Sequence, residues 1–139
     1  MNNWLPPYAF LPSETARHPD DMFDEIKRSV HGNKPPELLF ETSAWACGLH
    51  CFQNRFFWEA HELWEPVWLA FAPNSGERYW VQSAIQLANA GLKARMGRYG
   101  AKARLLQHAK ELHAEAQLRG ASGPKGVEWR QLLQQIPAL

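Results

Sequence analysis

The sequence predicts an all-α fold, a compact bundle of about five helices built from antiparallel helical hairpins. Two observations lead to this prediction. Apolar residues recur at helical spacing through most of the chain, and no stretch alternates convincingly between apolar and polar residues at the period of two typical of a half-buried strand. Short segments rich in turn-forming residues separate the helical stretches, as expected where helices reverse direction.

The chain is predicted to consist of an extended arm over residues 1–34 and a helical domain over residues 35–139. Prolines interrupt the arm, and only residues 20–30 could form a short helix there. The helical domain begins with Pro35 and Pro36, which suit the first turn of a helix.

Five helices are expected in the helical domain, over residues 37–53, 56–72, 77–96, 101–118 and 127–136. Pro66 lies inside the second of them and should bend it or divide it after Glu65, because proline has no N–H to donate. Gly97 and Gly100 bracket a tight connection between the third and fourth helices.

The second helix carries polar residues within one of the most aromatic stretches of the chain, FFWEAHELWEPVW over residues 56–68. On a helix His61 and Glu65 lie about 40° apart, and Glu62 lies about 100° from His61. A carboxylate among aromatic rings must be paired, bound to a metal or protonated, since an uncompensated buried charge is unfavourable. This stretch is therefore the candidate functional site.

The third helix carries a polar stripe that includes Gln82 and Gln86. We expect His61 and its acidic neighbours to point inward, towards this amide row on the facing helix. The residues predicted to line a ligand pocket between the two helices are Glu59, Trp64, Trp68, Gln82 and Gln86.

With these residues in place, the chain resembles the family called domain of unknown function 309. The resemblance covers roughly residues 38–118 and rests on these features: Phe52, Phe57, Glu59 and Ala60 leading into His61 and Glu62, then Glu65 and Trp68, the Gln82-x-x-x-Gln86-Leu87-Ala88 segment, the turn at Gly97, and Ala103 to Leu106. The resemblance implies a small all-helical fold and no established activity. One departure is the turn at residues 53–55, where we expect a glycine and the chain has Gln-Asn-Arg.

Three interpretations of the polar residues stay open. In the first, His61, Glu62 and Glu65 are ligands of a divalent metal, with Glu62 as a candidate catalytic base. In the second, the cluster is a structural network in which His61 bonds Glu65 or a glutamine amide and Glu62 pairs with a cation such as Arg78 or Lys93. In the third, a metal-free pocket binds a small polar ligand or supports catalysis. The pattern is not a zincin signature, since Glu65 stands where the second histidine would be.

The composition limits the partners. A net charge of +1 disfavours a bulk electrostatic grip on nucleic acid, although a local patch is compatible with it, and no apolar run is long enough to span a bilayer. We expect a cytoplasmic protein, with a homo-oligomer as a candidate assembly. In the alternative, non-enzymatic account the chain is a helical-hairpin interaction or dimerisation module, which binds through exposed tryptophans and the basic stretch around Gly97.

Cys47 and Cys51, one turn apart, are expected to be buried core residues rather than metal ligands.

Overall fold

The structure, a computed structural model, describes residues 3–138 and is all-α within that range, which confirms the predicted fold class. Four helices of 11 to 20 residues form the body of the bundle. The elements in chain order are α1 (Asp24–Lys27), a 3-10 turn (Arg28–Val30), α2 (Pro36–Leu39), α3 (Ser43–Gln53), α4 (Phe57–Ala70), α5 (Gly76–Arg95), α6 (Tyr99–Leu118) and α7 (Trp129–Gln134).

Two of the predicted helices have different boundaries in the structure. The first is divided into α2 and α3, because the Thr42 hydroxyl accepts a hydrogen bond from the Trp45 N–H at 3.3 Å and so caps a new helix. The second is not divided: α4 runs through Pro66. Proline removes one backbone donor, and complete burial of Leu63 and Val67 on either side holds the helix together.

The helices pack in a fixed order around an aromatic core. α5 packs against both α4 and α6, and α3 packs against the other helix of its hairpin, α4. The indole rings of Trp45 and Trp64 stack with centroids 4.8 Å apart, and Trp64 Nε1 donates to the Trp45 carbonyl at 3.2 Å. Trp80 of α5 meets Trp45 edge to face, which joins three helices through one ring cluster.

Glycines on α3 and α5 let both helices approach α4 closely. A Cβ added at Gly48 would lie 2.4 Å from the Trp64 indole, and one added at Gly91 would lie 2.7 Å from the Phe57 ring. At the other end of the α4–α5 hairpin, the Arg78 guanidinium lies 4.8 Å from the centre of the Trp68 ring. The Gly91–Phe57 and Arg78–Trp68 contacts together set the antiparallel register of α4 and α5.

Residues 3–30 form a segment that packs against the helical body. Phe23 before α1, Ile26 within it and Val30 after it are buried, and α1 contacts both α3 and α4. Residues 31–38 are all exposed and connect this segment to the rest of the chain. The division into an arm (1–34) and a helical domain (35–139) stays a prediction.

Within residues 3–138 the structure contains no helix that combines the length and the apolar character needed to cross a membrane.

Candidate functional site

Three acids of α4 lie in three different environments. Glu59 is fully buried, Glu62 is half-buried, and the side chain of Glu65 is half exposed. They differ because residues three apart on a helix point about 60° apart, so only Glu59 faces into the aromatic contact between α4 and the N-terminal segment. The candidate site is therefore built from separate pairs, which are described in turn.

Glu59 is held by residues from the N-terminal segment. The His18 imidazole donates from Nε2 to Glu59 Oε2 at 2.7 Å, and the Phe10 backbone N–H donates to the same oxygen at 2.7 Å. The His18 ring lies among the rings of Tyr8, Phe10, Phe23 and Trp58. This meets the expectation that a carboxylate placed among rings needs a partner, since its desolvation must be compensated.

The buried pair leaves two polar atoms without a hydrogen-bond partner in residues 3–138. They are His18 Nδ1 and Glu59 Oε1, on side chains that are 2% and 0% exposed. Only one oxygen of the buried Glu59 carboxylate is hydrogen-bonded, so its desolvation is compensated by the bonds from His18 and Phe10 alone. Removal of His18 or displacement of Phe10 should therefore be strongly destabilising.

Glu62 points towards the N-terminal segment as well. Its Oε2 lies 3.1 Å from Lys27 Nζ, and both side chains are about one-third exposed, at 29% and 33%. The structural interpretation expected a basic partner such as Arg78 or Lys93. A basic partner is present, but it comes from α1, because Glu62 lies about 120–140° around α4 from Phe57 and Trp68, which contact α5.

His61 and Glu65 form a pair on the surface of α4. Their Nε2 and Oε2 atoms lie 3.2 Å apart, with side chains 28% and 50% exposed. This is one of the bonds that the structural interpretation expected of His61. The orientation of His61 towards Gln82 and Gln86 stays a prediction, and the acid of α4 that is fully buried is Glu59.

The glutamines of α5 lie on its half-buried polar face. Gln86 Oε1 accepts a hydrogen bond from Asn89 Nδ2 at 3.2 Å, and Gln82 is half-buried one turn earlier. The α4–α5 register places these amides beside the turn of α4 that carries His61 and Glu65. The pocket role predicted for Gln82 and Gln86 stays a prediction.

Two tryptophans predicted to line the pocket have different surroundings. Trp64 is 0% exposed and belongs to the ring cluster with Trp45, so it packs in the core between α3 and α4. Trp68 is half-buried and lies under the Arg78 guanidinium, at the surface of the α4–α5 hairpin.

The metal prediction is not supported by a ready-made ligand cluster. Among residues 3–138 no three His, Cys, Asp or Glu side chains are grouped so that they could hold a metal ion. His61 and Glu65 form one pair, and Glu62 forms another with a lysine, which is not a metal ligand in this charged form. The predicted ligand set of His61, Glu62 and Glu65 stays a prediction.

Both cysteines are buried in α3, as expected for core residues. Burial, together with the nearby charges of Glu59 and Cys47, raises the pKa of the Cys51 thiol to about 12. Burial also raises the pKa of Cys47. Since the thiolate is the reactive form, neither residue resembles a nucleophile.

These features define a small all-helical domain whose α3–α4 and α5–α6 hairpins are closed by tight turns. The model of the family described as Domain of unknown function (DUF309) matches residues 45–105, which run from α3 into α6. Over these residues the chain is similar to DUF309, and the predicted resemblance is confirmed. No curated protein and no solved structure gives a significant match to the chain. The family description names no activity.

Sequence reasoning missed His18 and Phe10, the partners of Glu59. They lie 41 and 49 residues before it, in a segment that the prolines made look peripheral. A signal was present, however. Trp4, Tyr8, Phe10 and Phe23 give this segment an aromatic content that a solvated arm would not need.

Proposed function

We propose that the chain is a non-enzymatic interaction module, in which the histidines and acids around α4 stabilise the fold. The observation that supports this proposal is the way these residues pair. Glu59, Glu62 and Glu65 each have one basic or imidazole partner, and each partner serves a different acid: His18 and Lys27 come from the N-terminal segment, and His61 lies on α4 itself. Catalysis or metal binding would require several such groups to converge on one point.

The pairs have a clear structural task. The His18–Glu59 and Lys27–Glu62 contacts both join the N-terminal segment to α4, one fully buried and one at its edge. A buried hydrogen-bonded pair fixes one docking arrangement, because any displacement leaves desolvated polar atoms without partners. The module would therefore present a rigid surface to its partner.

Thermal unfolding with added metal tests this proposal. With excess Zn²⁺, Mn²⁺ or Mg²⁺, the melting temperature should not rise, because no site binds metal to the folded state preferentially. His61→Ala and Glu65→Gln should have equally flat responses. A metal-dependent rise that His61→Ala abolishes would overturn the proposal and establish His61, Glu62 and Glu65 as a metal site.

A small polar ligand site is the second candidate, and one specific observation favours it. Gln82, Gln86 and Asn89 form a half-buried amide face on α5, and the antiparallel register of α4 and α5 leads us to expect it beside His61 and Glu65. Amides of this kind supply both donors and acceptors to a polar ligand. Gln82→Ala and Gln86→Ala should leave stability nearly unchanged if this face serves binding, and should be destabilising if it serves packing.

Self-association and a cytoplasmic location stay predictions. Size-exclusion chromatography at several protein concentrations tests the first, since a dimer in equilibrium with monomer elutes earlier as the concentration rises.

A further inference from the structure

The α3–α4 turn and the α5–α6 turn lie at the same end of the bundle. The Arg95 side chain at the end of α5 donates from Nη1 to the backbone carbonyl of Arg55, in the α3–α4 turn, at 2.7 Å. Arg98 follows in the α5–α6 turn, and Arg104 lies over the first turn of α6, with Nη1 3.7 Å from the Cβ position of Gly100. We call this surface, formed by Arg55, Lys93, Arg95, Arg98 and Arg104, the basic end.

The parts of α5 and α6 next to the basic end carry no acidic side chain. Between Glu77 and Glu111 the chain contains seven lysines and arginines and no acid. None of the five basic-end residues forms an ion pair within residues 3–138, and all except half-buried Lys93 are exposed. The net charge of +1 conceals this patch because residues 35–77 contain six acids and a single cation.

Arg55 has an unfavourable backbone conformation at this end. Its φ is +66°, and it occupies the position after α3 that Gly97 and Gly120 occupy after α5 and α6, with φ of +74° and +82°. All three helix ends close with the same pair of backbone hydrogen bonds, as between Phe56 N–H and the Cys51 carbonyl at 2.8 Å. A residue with a Cβ is strained there, and such outliers point to a role for the side chain.

An exposed aromatic ring lies beside the arginines. Tyr99, the first residue of α6, is 44% exposed and follows Arg98 directly. The α6 N-terminus has no side-chain cap and no acid in its first turn, so the helix dipole adds to the positive potential. Guanidinium groups next to an exposed ring match the phosphates and bases of an unpaired strand.

We propose that the basic end binds single-stranded nucleic acid, with the arginines on phosphates and Tyr99 stacked on a base. This inference rests on the proposed interaction function and names its partner. An anionic membrane is the less suitable partner, because Tyr99 is the only exposed large apolar side chain within residues 50–60 and 90–106, which form the two turns and the adjoining helix ends.

The binding test uses a fluorescein-labelled oligouridylate of about 15 nucleotides and the full chain, followed by fluorescence anisotropy. We expect a Kd of about 1–100 µM at moderate salt. Four phosphate contacts, from Arg55, Arg95, Arg98 and Arg104, predict a slope of about −3 for log K against log salt.

Charge-reversal pairs locate the surface. R98E/R104E should weaken binding at least about tenfold, since two contacts become repulsive. K125E/R130E is the matched control, because it makes the same change in net charge at exposed positions beyond the C-terminus of α6 and should have a much smaller effect. Equal losses from the two pairs, or no binding by the unmodified chain, would overturn the inference.

Two further variants separate binding from folding and from general attraction to polyanions. Arg55→Gly should weaken oligouridylate binding while making the chain more resistant to urea, because it removes a cation and relieves the backbone. Tyr99→Ala should weaken oligouridylate binding about tenfold and leave heparin binding unchanged, since heparin has no bases to stack.

Three outcomes contradict the inference. Arg55→Gly could bind oligouridylate as tightly as the unmodified chain does, or Tyr99→Ala could weaken heparin binding and oligouridylate binding equally. In the third, the chain binds phosphatidylserine vesicles and does not bind the oligonucleotide. The metal titration described above is independent of all these measurements. Failure of oligonucleotide binding would overturn the nucleic-acid inference and leave the proposed interaction function in place. A metal-dependent melting temperature would overturn the structural role proposed for the α4 residues, and the binding measurement would still decide the role of the basic end.

Discussion

Glu59 shows how far residue-level reasoning reaches. The aromatic stretch around it predicts that some acid of α4 must be paired, and Glu59 is paired with His18. The identity of the partner could not be predicted, because the 41 intervening residues leave its position to the tertiary fold. Helical geometry alone predicts contacts between near neighbours such as His61 and Glu65, and that contact is observed.

Arg55 is a second case at this scale. The turn at residues 53–55 called for a glycine, and the backbone of Arg55 has the left-handed conformation for which glycine is suited. The glycine that the family resemblance led us to expect in this turn therefore suits the observed backbone, although the chain has arginine there.

Replacing Arg55 by glycine should stabilise the fold. We expect Arg55→Gly to raise the free energy of unfolding by about 0.5–1 kcal/mol, because relief of the left-handed strain exceeds the added entropy of the unfolded chain. Urea denaturation measures this difference. The control is Gln53→Gly in the last turn of α3, which should lower stability by about as much. A destabilised Arg55→Gly would contradict the strain argument.

At the scale of elements, the sequence predicted α4, α5 and α6 within two residues at each end, whereas α3 begins six residues later than expected. Apolar periodicity and bounding turns are strong local signals. The predicted first helix is interrupted at residues 40–42, where the Thr42 cap competes with helix continuation. α4 is not divided at Pro66, because packing on both sides outweighs one lost hydrogen bond, and local propensity does not include such tertiary contacts.

The contact between α4 and α5 depends on Gly91. We expect Gly91→Ala to destabilise the fold by about 1–3 kcal/mol, because the added methyl group would overlap the Phe57 ring. Gly100→Ala in the first turn of α6 is the matched control. Its Cβ meets only the flexible end of Arg104, so it should be neutral or stabilising by about 0.5–1 kcal/mol. Similar urea midpoints of unfolding for the two variants would contradict this prediction, because they would mean that α4 and α5 can move apart at no cost to stability.

α7 is tied to α6 by a ring stack that should respond to pH. His113 and Trp129 lie parallel with centroids 4.3 Å apart, and burial lowers the pKa of His113 from its ordinary value of 6.5. The unfolded chain therefore takes up this proton at a higher pH than the folded chain does. The stability that the neutral imidazole provides is present above pH 6.5 and is lost as the pH falls from there towards the folded pKa.

Melting temperatures between about pH 7 and pH 5 test this dependence. His113→Phe keeps a ring against Trp129 and removes the titration, so its melting temperature should fall less than that of the unmodified chain over this range. His108→Phe, at an exposed position of the same helix, should leave the fall unchanged. An equally steep fall in His113→Phe would show that the imidazole does not carry the effect.

At the scale of the whole molecule, the least predictable feature was the packing of the N-terminal segment. Its prolines correctly indicated little regular structure, but its aromatic residues complete the core next to α4. The charge distribution is also a whole-molecule property. A nearly neutral total is compatible with a strongly basic end, because acids and bases lie in different parts of the chain.

A double-mutant cycle on His18 and Glu59, followed by urea unfolding, tests most directly whether the polar residues of α4 hold the fold together. Each single variant, His18→Ala and Glu59→Gln, should lower the free energy of unfolding by about 3–5 kcal/mol, because each leaves a buried partner uncompensated. The double variant should lose less than the sum, with a coupling of about 2 kcal/mol. Glu65→Gln, which disrupts only the exposed pair with His61, should change stability by less than about 1 kcal/mol. A coupling near zero, with single variants as mild as Glu65→Gln, would contradict the account.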